Sequence, residues 1–112
     1  MPIANPQMQS HDFLKEMYAD PYFPDVLVDK VKASLLAACE RIEREKPSNL
    51  AGLYRITHPA TEEINQLAQE FEDSGSEIET AARDAIGEDF QFIAAAYGYN
   101  ADAEELTAPR HW

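Results

Sequence analysis

Asp89 is the residue of this chain best placed to do chemistry. On a 100° helical wheel it falls between Ala82, Ala85, Ile93 and Ala96, near the middle of the small-residue side of a helix. A buried carboxylate must be neutral, hydrogen-bonded or paired, because an unpaired buried charge is very costly. Such a group can act as a general base with a raised pKa or hold a cation, and Tyr97 completes the candidate buried polar site with it. The plainer role is a structural partner of a Lys, an Arg or a tyrosine hydroxyl. If the helix rolls toward Phe90 and Tyr97, Asp89 becomes a flank residue.

The remaining constellations carry less. A carboxylate-bridged di-iron bundle needs Glu-x-x-His on two helices, and the residues three before His11, His58 and His111 are Met8, Arg55 and Ala108. His58 and Glu62, one turn apart, are two ligands and do not make a metal site. Cys39 is the single cysteine, so there is no intramolecular disulfide or cysteine-paired zinc site; it lies on an apolar stripe with no local base to activate it. The four glycines are too dispersed for a phosphate loop. No catalytic residue, metal or cofactor is assigned, and an enzyme is the less favoured class.

Charge is distributed unevenly. Through His58 the chain has eight carboxylates against seven Lys/Arg, and from Pro59 onward thirteen against two, so the net −12 is −1 plus −11. A one-sided negative field attracts basic surfaces and repels nucleic acid and anionic membranes. Glu63, Glu70, Asp73, Glu77, Asp84 and Glu88 would share one negative face if the last two long helices are antiparallel neighbours. Solubility alone is the plainer use of such a face.

The elements that must position these residues read as helices throughout. Residues 1–9 contain Pro2 and Pro6 without period and suit a frayed lead-in to one helical domain over 10–112. A short helix capped by Ser10 or Asp12 carries Phe13, Leu14 and Met17 until Pro21 stops it. Between Pro21 and Pro24, Tyr22 and Phe23 form an aromatic turn that either packs over the bundle end or anchors an interface. Val28, Val31, Leu35, Cys39 and Ile42 mark a long amphipathic helix from Asp25 to Lys46, ended by Pro47. Ser48 can cap the next, whose stripe from Leu50 to Phe71 keeps phase through Pro59, either as a kinked helix or as two.

Ser76 with Glu79 has the spacing of a capping box for a third long helix bearing Ala82, Ile86, Phe90, Ile93 and Tyr97. Gly87 within it predicts a close helix approach, and Gly98 a left-handed cap. A short helix over 103–106 precedes Pro109 and Trp112. The expected architecture is all-α, a compact bundle of three long helices with short ones at the ends. With neither a signal-like start nor an apolar run of membrane-spanning length, the expected location is cytoplasmic.

The stretches Met17–Pro24, Leu27–Lys30, Gly75–Arg83 and Ala103–Leu106 followed by Trp112 resemble a family of small bacterial proteins catalogued as a domain of unknown function. The resemblance implies a compact helical protein standing alone and brings no activity or site residue. Three functions stay open. The first is a non-enzymatic acidic module docking a basic protein, of immunity or inhibitor type. The second is a small enzyme or ligand-binding bundle centred on Asp89. The third is a self-associating structural protein using Tyr22, Phe23 and Trp112, so monomer and homodimer both remain open.

Overall fold

A computed structural model describes residues 3–112; Met1 and Pro2 of the expected lead-in lie outside the described residues. Among the described residues the chain forms six helices and no strand: α1 Pro6–Ser10, α2 Lys15–Ala19, α3 Asp25–Glu45, α4 Leu50–Asp73, α5 Thr80–Ala96 and α6 Ala103–Leu106. The three long ones, α3, α4 and α5, are those the periodicity predicts.

Helices α3 and α4 form an antiparallel hairpin: Lys30, early in α3, meets Glu70, late in α4, at 2.7 Å, and Ser34 donates to Glu63 at 2.8 Å. Val28, Val31, Leu35, Cys39 and Ile42 are buried on α3, opposite Leu53, Ile56, Ala60, Ile64 and Phe71 on α4. Helix α5 lays Ala82, Ile86, Phe90 and Ile93 into the same core, packed against α2 and α6 and, over a smaller area, against α1 and α3. Burying these aliphatic and aromatic side chains, at about 1.5–3 kcal/mol each, is the main favourable term.

Pro59 lies inside α4, which runs as one helix past it. Its missing N–H leaves the Arg55 carbonyl without the usual intrahelical donor, yet the stripe keeps its phase because Leu53, Thr57, Ala60 and Ile64 all reach the core. Asn49, not Ser48, caps α4 by accepting from the Gly52 N–H at 2.8 Å.

The expected Ser76/Glu79 capping box does not form. Gly75 takes a left-handed φ of 79°, and the Ser76 N–H donates to the Phe71 carbonyl while that of Gly75 donates to Glu72. That is a Schellman closure of α4. With its N–H spent on Phe71, Ser76 has no donor left for the Glu79 carboxylate that a reciprocal box requires, and α5 begins only at Thr80, its cap position, Glu79, making no side-chain cap bond. The same closure ends α5 as expected, with Gly98 at φ 88° and the Tyr99 N–H on the Ala94 carbonyl.

Three further expectations change. Residues 3–9 are not frayed: Asn5 accepts from the Gln7 and Met8 N–H groups, Pro6 occupies the first helical turn, and Met8 is buried. Neither Ser10 nor Asp12 caps α2, which starts after Leu14 in a left-handed conformation (φ 54°). Nor does Gly87 mark a close approach, since a Cβ there would meet nothing within 4 Å.

Candidate functional site

Asp89 is buried, on the core side of α5. Its Oδ2 accepts the Leu14 N–H at 2.7 Å, and its Oδ1 lies 2.8 Å from His11 Nε2. The His11 ring stacks on Phe92 at 4.1 Å and meets Phe13 edge-on at 4.7 Å. Burial pushes the carboxyl above its ordinary pKa, and the His11 and Leu14 bonds offset part of that rise. The side-chain partner is a histidine from the chain's start, not the Lys, Arg or tyrosine expected, and the other carboxylate oxygen satisfies the N–H of Leu14, which is in a left-handed conformation. Sequence spacing could not reveal a pair 78 positions apart.

Tyr97 belongs to a different cluster. Its hydroxyl donates to Glu43 Oε2 at 2.5 Å, and Glu43 also accepts the backbone N–H groups of Ala4 (2.9 Å) and Asn5 (3.0 Å). Burial pushes Glu43 upward, but these donors outweigh it and hold the carboxyl below the usual carboxylate range. Burial and the Glu43 bond push the Tyr97 phenol strongly upward, so it stays a donor. Cys39 nearby is buried with its thiol pushed up to about 12, the state of an inert core cysteine.

Beside this cluster lies a cavity of about 770 Å³ bordered by Ile42, Glu43, Arg44, Pro47, Tyr97 and Tyr99. The Tyr99 hydroxyl donates to the Pro47 carbonyl, so both phenols and Glu43 are already engaged within the chain. Asp89 lines neither this cavity nor the two smaller ones, of about 180 and 360 Å³. Among the described residues no group of three or more His, Cys, Asp or Glu side chains is placed to hold a metal.

The six acidic residues do not form one face. Helix α4 packs on α3, and α5 on α2 and α6, so α4 and α5 are not the close neighbours a shared face requires. Glu63 and Glu70 line a groove against Lys30 and Ser34. Asp73 and Glu77 flank the α4–α5 turn, where Asp73 accepts from Gln69. Asp84 and Glu88 line a cleft between α5 and α6 that also holds Arg83 and Arg110. At the turn, a hydrogen bond with Glu79, the Glu79 charge and the Glu72 charge raise the Glu77 pKa, a sign of like charges crowded together.

The aromatic turn divides between core and surface. Phe23 is buried and packs edge-on against Phe71 at 6.3 Å, whereas Tyr22 rests edge-on against Phe23 at 5.1 Å and is 46% exposed. Four residues on, Val26 is 65% exposed in the first turn of α3. Since Phe71 directly precedes Glu72, these apolar groups sit at the same end of the hairpin as the crowded carboxylates.

Comparison with known proteins adds a family. A model described as a family of unknown function, DUF5713, matches residues 7–112. The chain belongs to that family. No curated protein and no solved structure matches it. In this DUF5713 chain the match takes in nearly all of α1 and every later helix, including His11, Asp89, Glu43 and Tyr97. Of these, His11 and Glu43 were missed by sequence reasoning. The only local signal was Asn5-Pro6, a cap followed by a proline suited to the first helical position, which marks an ordered start and hence residues there to be paired. Among the described residues no helix is long and apolar enough to cross a membrane.

Proposed function

We propose that the protein is a non-enzymatic, acidic binding module that docks a basic protein partner, of the immunity or inhibitor type, in the cytoplasm. One observation carries this reading: the carboxylates of the second half face outward largely uncompensated. Glu62, Glu63, Glu72, Asp73, Glu77, Glu79, Asp84, Glu88, Glu104 and Glu105 are all exposed. Among the described residues, the ion pairs that engage this half are Lys30–Glu70 and Arg110–Glu104, while Asp89 is hydrogen-bonded with His11. An outward field of one sign speeds encounter with an opposite surface and rejects like-charged ones. The buried Cys39 suits a reducing compartment.

The test is retention of basic proteins from a cell extract at low salt by the wild type and by a variant with Glu72, Glu77, Asp84 and Glu88 replaced by Lys. A basic protein held by the wild type alone supports the reading. Equal retention by both, or none by either, refutes it.

A second reading, small-molecule binding beside Glu43 and Tyr97, is favoured by the cavity of about 770 Å³, within the range of ligand sites. Its polar groups are spent on internal bonds, which places it second. A thermal-shift series with aromatic carboxylates and aromatic amines tests it: a saturable rise in Tm lost in Tyr99→Ala supports a site, and a flat response removes it.

A further inference from the structure

We infer that the partner docks on one end of the α3–α4 hairpin, with Tyr22 and Val26 as the apolar contact inside a ring formed by Asp20, Asp25, Glu72, Asp73 and Glu77, and that it presents a basic surface with an apolar recess. This rests on the acidic-docking reading and adds to it a place and a contact chemistry.

The rest of the molecule points away from itself. Asp89 has both oxygens engaged, Glu43 and Tyr97 satisfy each other, and Asp84 and Glu88 share their cleft with Arg83 and Arg110. At the hairpin end the balance differs. Among the described residues Val26 and Tyr22 are two of the four exposed large apolar side chains, Tyr22 in the turn before α3 and Val26 in its first turn. Phe23 fixes that turn by its contact with Phe71, and Pro21 and Pro24 bracket it, so Tyr22 is presented with little conformational entropy left to lose. The Tyr22 N–H is held by Asp20 at 2.9 Å, which stiffens the presentation further.

A tyrosine on a rigid turn is a frequent hot-spot residue, since it offers large contact area at low entropic cost. The surrounding charge decides which partner suits it. The α4–α5 turn folds back onto Phe71 through the Ser76 N–H, bringing Glu72, Asp73 and Glu77 to the same end. Across from them, Asp25 opens α3 and Asp20 precedes Pro21. Lys30, four residues along α3 from Val26, is already bound to Glu70. A second copy of the chain would bring the same carboxylates face to face, so self-association here is disfavoured, as is an anionic membrane or nucleic acid. A basic surface with an apolar recess satisfies both components.

The probes are two synthetic peptides of equal Lys content, an amphipathic Lys/Leu helix and its Lys/Ser counterpart, titrated at low salt into ¹⁵N-labelled full-length protein. The expected result is that the Lys/Leu peptide binds more tightly and shifts the amide signals of Tyr22, Val26, Asp73 and Glu77. Tyr22→Ser with Val26→Ser then weakens that binding about tenfold, toward the level of the Lys/Ser peptide, with Tm unchanged. Signals centred on Asp84, Glu88 and Glu104 would overturn the inference while leaving acidic docking intact. Equal binding of both peptides, or a dimer that forms through Tyr22, would overturn it too. Absence of binding by either peptide sinks this inference and the acidic-docking reading together.

Discussion

The two ends of the α3–α4 hairpin treat their polar groups in opposite ways. At the end where α3 finishes, Glu43 collects the Ala4 and Asn5 N–H groups and the Tyr97 hydroxyl, the Tyr99 hydroxyl meets the Pro47 carbonyl, and Asn5 Nδ2 donates to the Ala96 carbonyl. Farther along the chain's opening segment, Asp89 holds Leu14 and His11 in the same manner. At the end where α3 begins, Glu72, Asp73, Glu77 and Glu79 face solvent, and Tyr22 and Val26 stand among exposed carboxylates. Charge consumed by donors from distant segments fastens the fold; charge bonded only along its own stretch of chain, as Asp73 is to Gln69, stays available to something outside.

Substitutions separate these roles by what they change. The largest loss of stability is expected for Asp89→Ala, about 2–4 kcal/mol, because it strands the buried Leu14 N–H and leaves His11 without its partner. Chemical denaturation followed by circular dichroism measures it, and a loss below about 0.5 kcal/mol would mean that the opening segment is held by packing alone.

Glu43→Gln is expected to cost about 1–2 kcal/mol at neutral pH, as a charge-assisted acceptor becomes a neutral one. It also has a pH signature. Glu43 titrates below its unfolded value, so the unfolded chain binds more protons in that window; the stabilisation is present above the unfolded carboxylate pKa and is lost as pH falls through the lowered folded value. Asp89 has the opposite sign. Its folded pKa is raised, so its contribution is present below the unfolded value and is lost as pH rises through the raised one. Acid unfolding should therefore flatten in Glu43→Gln, whereas Asp89→Asn should remove a decline on the rising side; an unchanged profile in both would contradict the assignment. Tyr97→Phe, which deletes one donor and leaves the ring, is expected to cost about 1 kcal/mol in the same assay.

The opposite end should respond weakly in stability. Tyr22→Ser with Val26→Ser is expected to stay within about 0.5 kcal/mol, since both side chains are exposed. Glu77→Gln should raise Tm slightly by relieving its repulsion with Glu79 and Glu72. A large loss from either would show that this end is structural.

Much of the helix layout was legible from spacing, because Val28–Ile42, Leu50–Phe71 and Ala82–Tyr97 each repeat at three and four residues and bury most of what they mark, although Leu50 is exposed and Leu67 and Tyr97 are half-buried. Pro59 left the choice between kink and break open because its local preference and the stripe disagree, and the stripe prevailed. The Ser76/Glu79 box was misleading for a local reason: the same residues read equally well as the exit of α4, and Gly75 decided for the exit. The site was less legible than the fold. That Asp89 lies on a core face follows from the wheel, but its partner His11 does not, nor does the union of Glu43 with Tyr97, because these pairs join distant segments. The acidic residues were identified individually, but their grouping depended on which helices adjoin, and charge patterning carries no such information.

The most direct test reverses the exposed end alone, with Glu72, Asp73 and Glu77 replaced together by Lys, and determines unfolding free energy and affinity for the Lys/Leu peptide on the same sample. Stability is predicted to hold or rise, since lysines near the C-terminal end of α4 suit its dipole, while binding disappears. Retained binding, or a variant that unfolds, would contradict the division between a fastened end and a docking end.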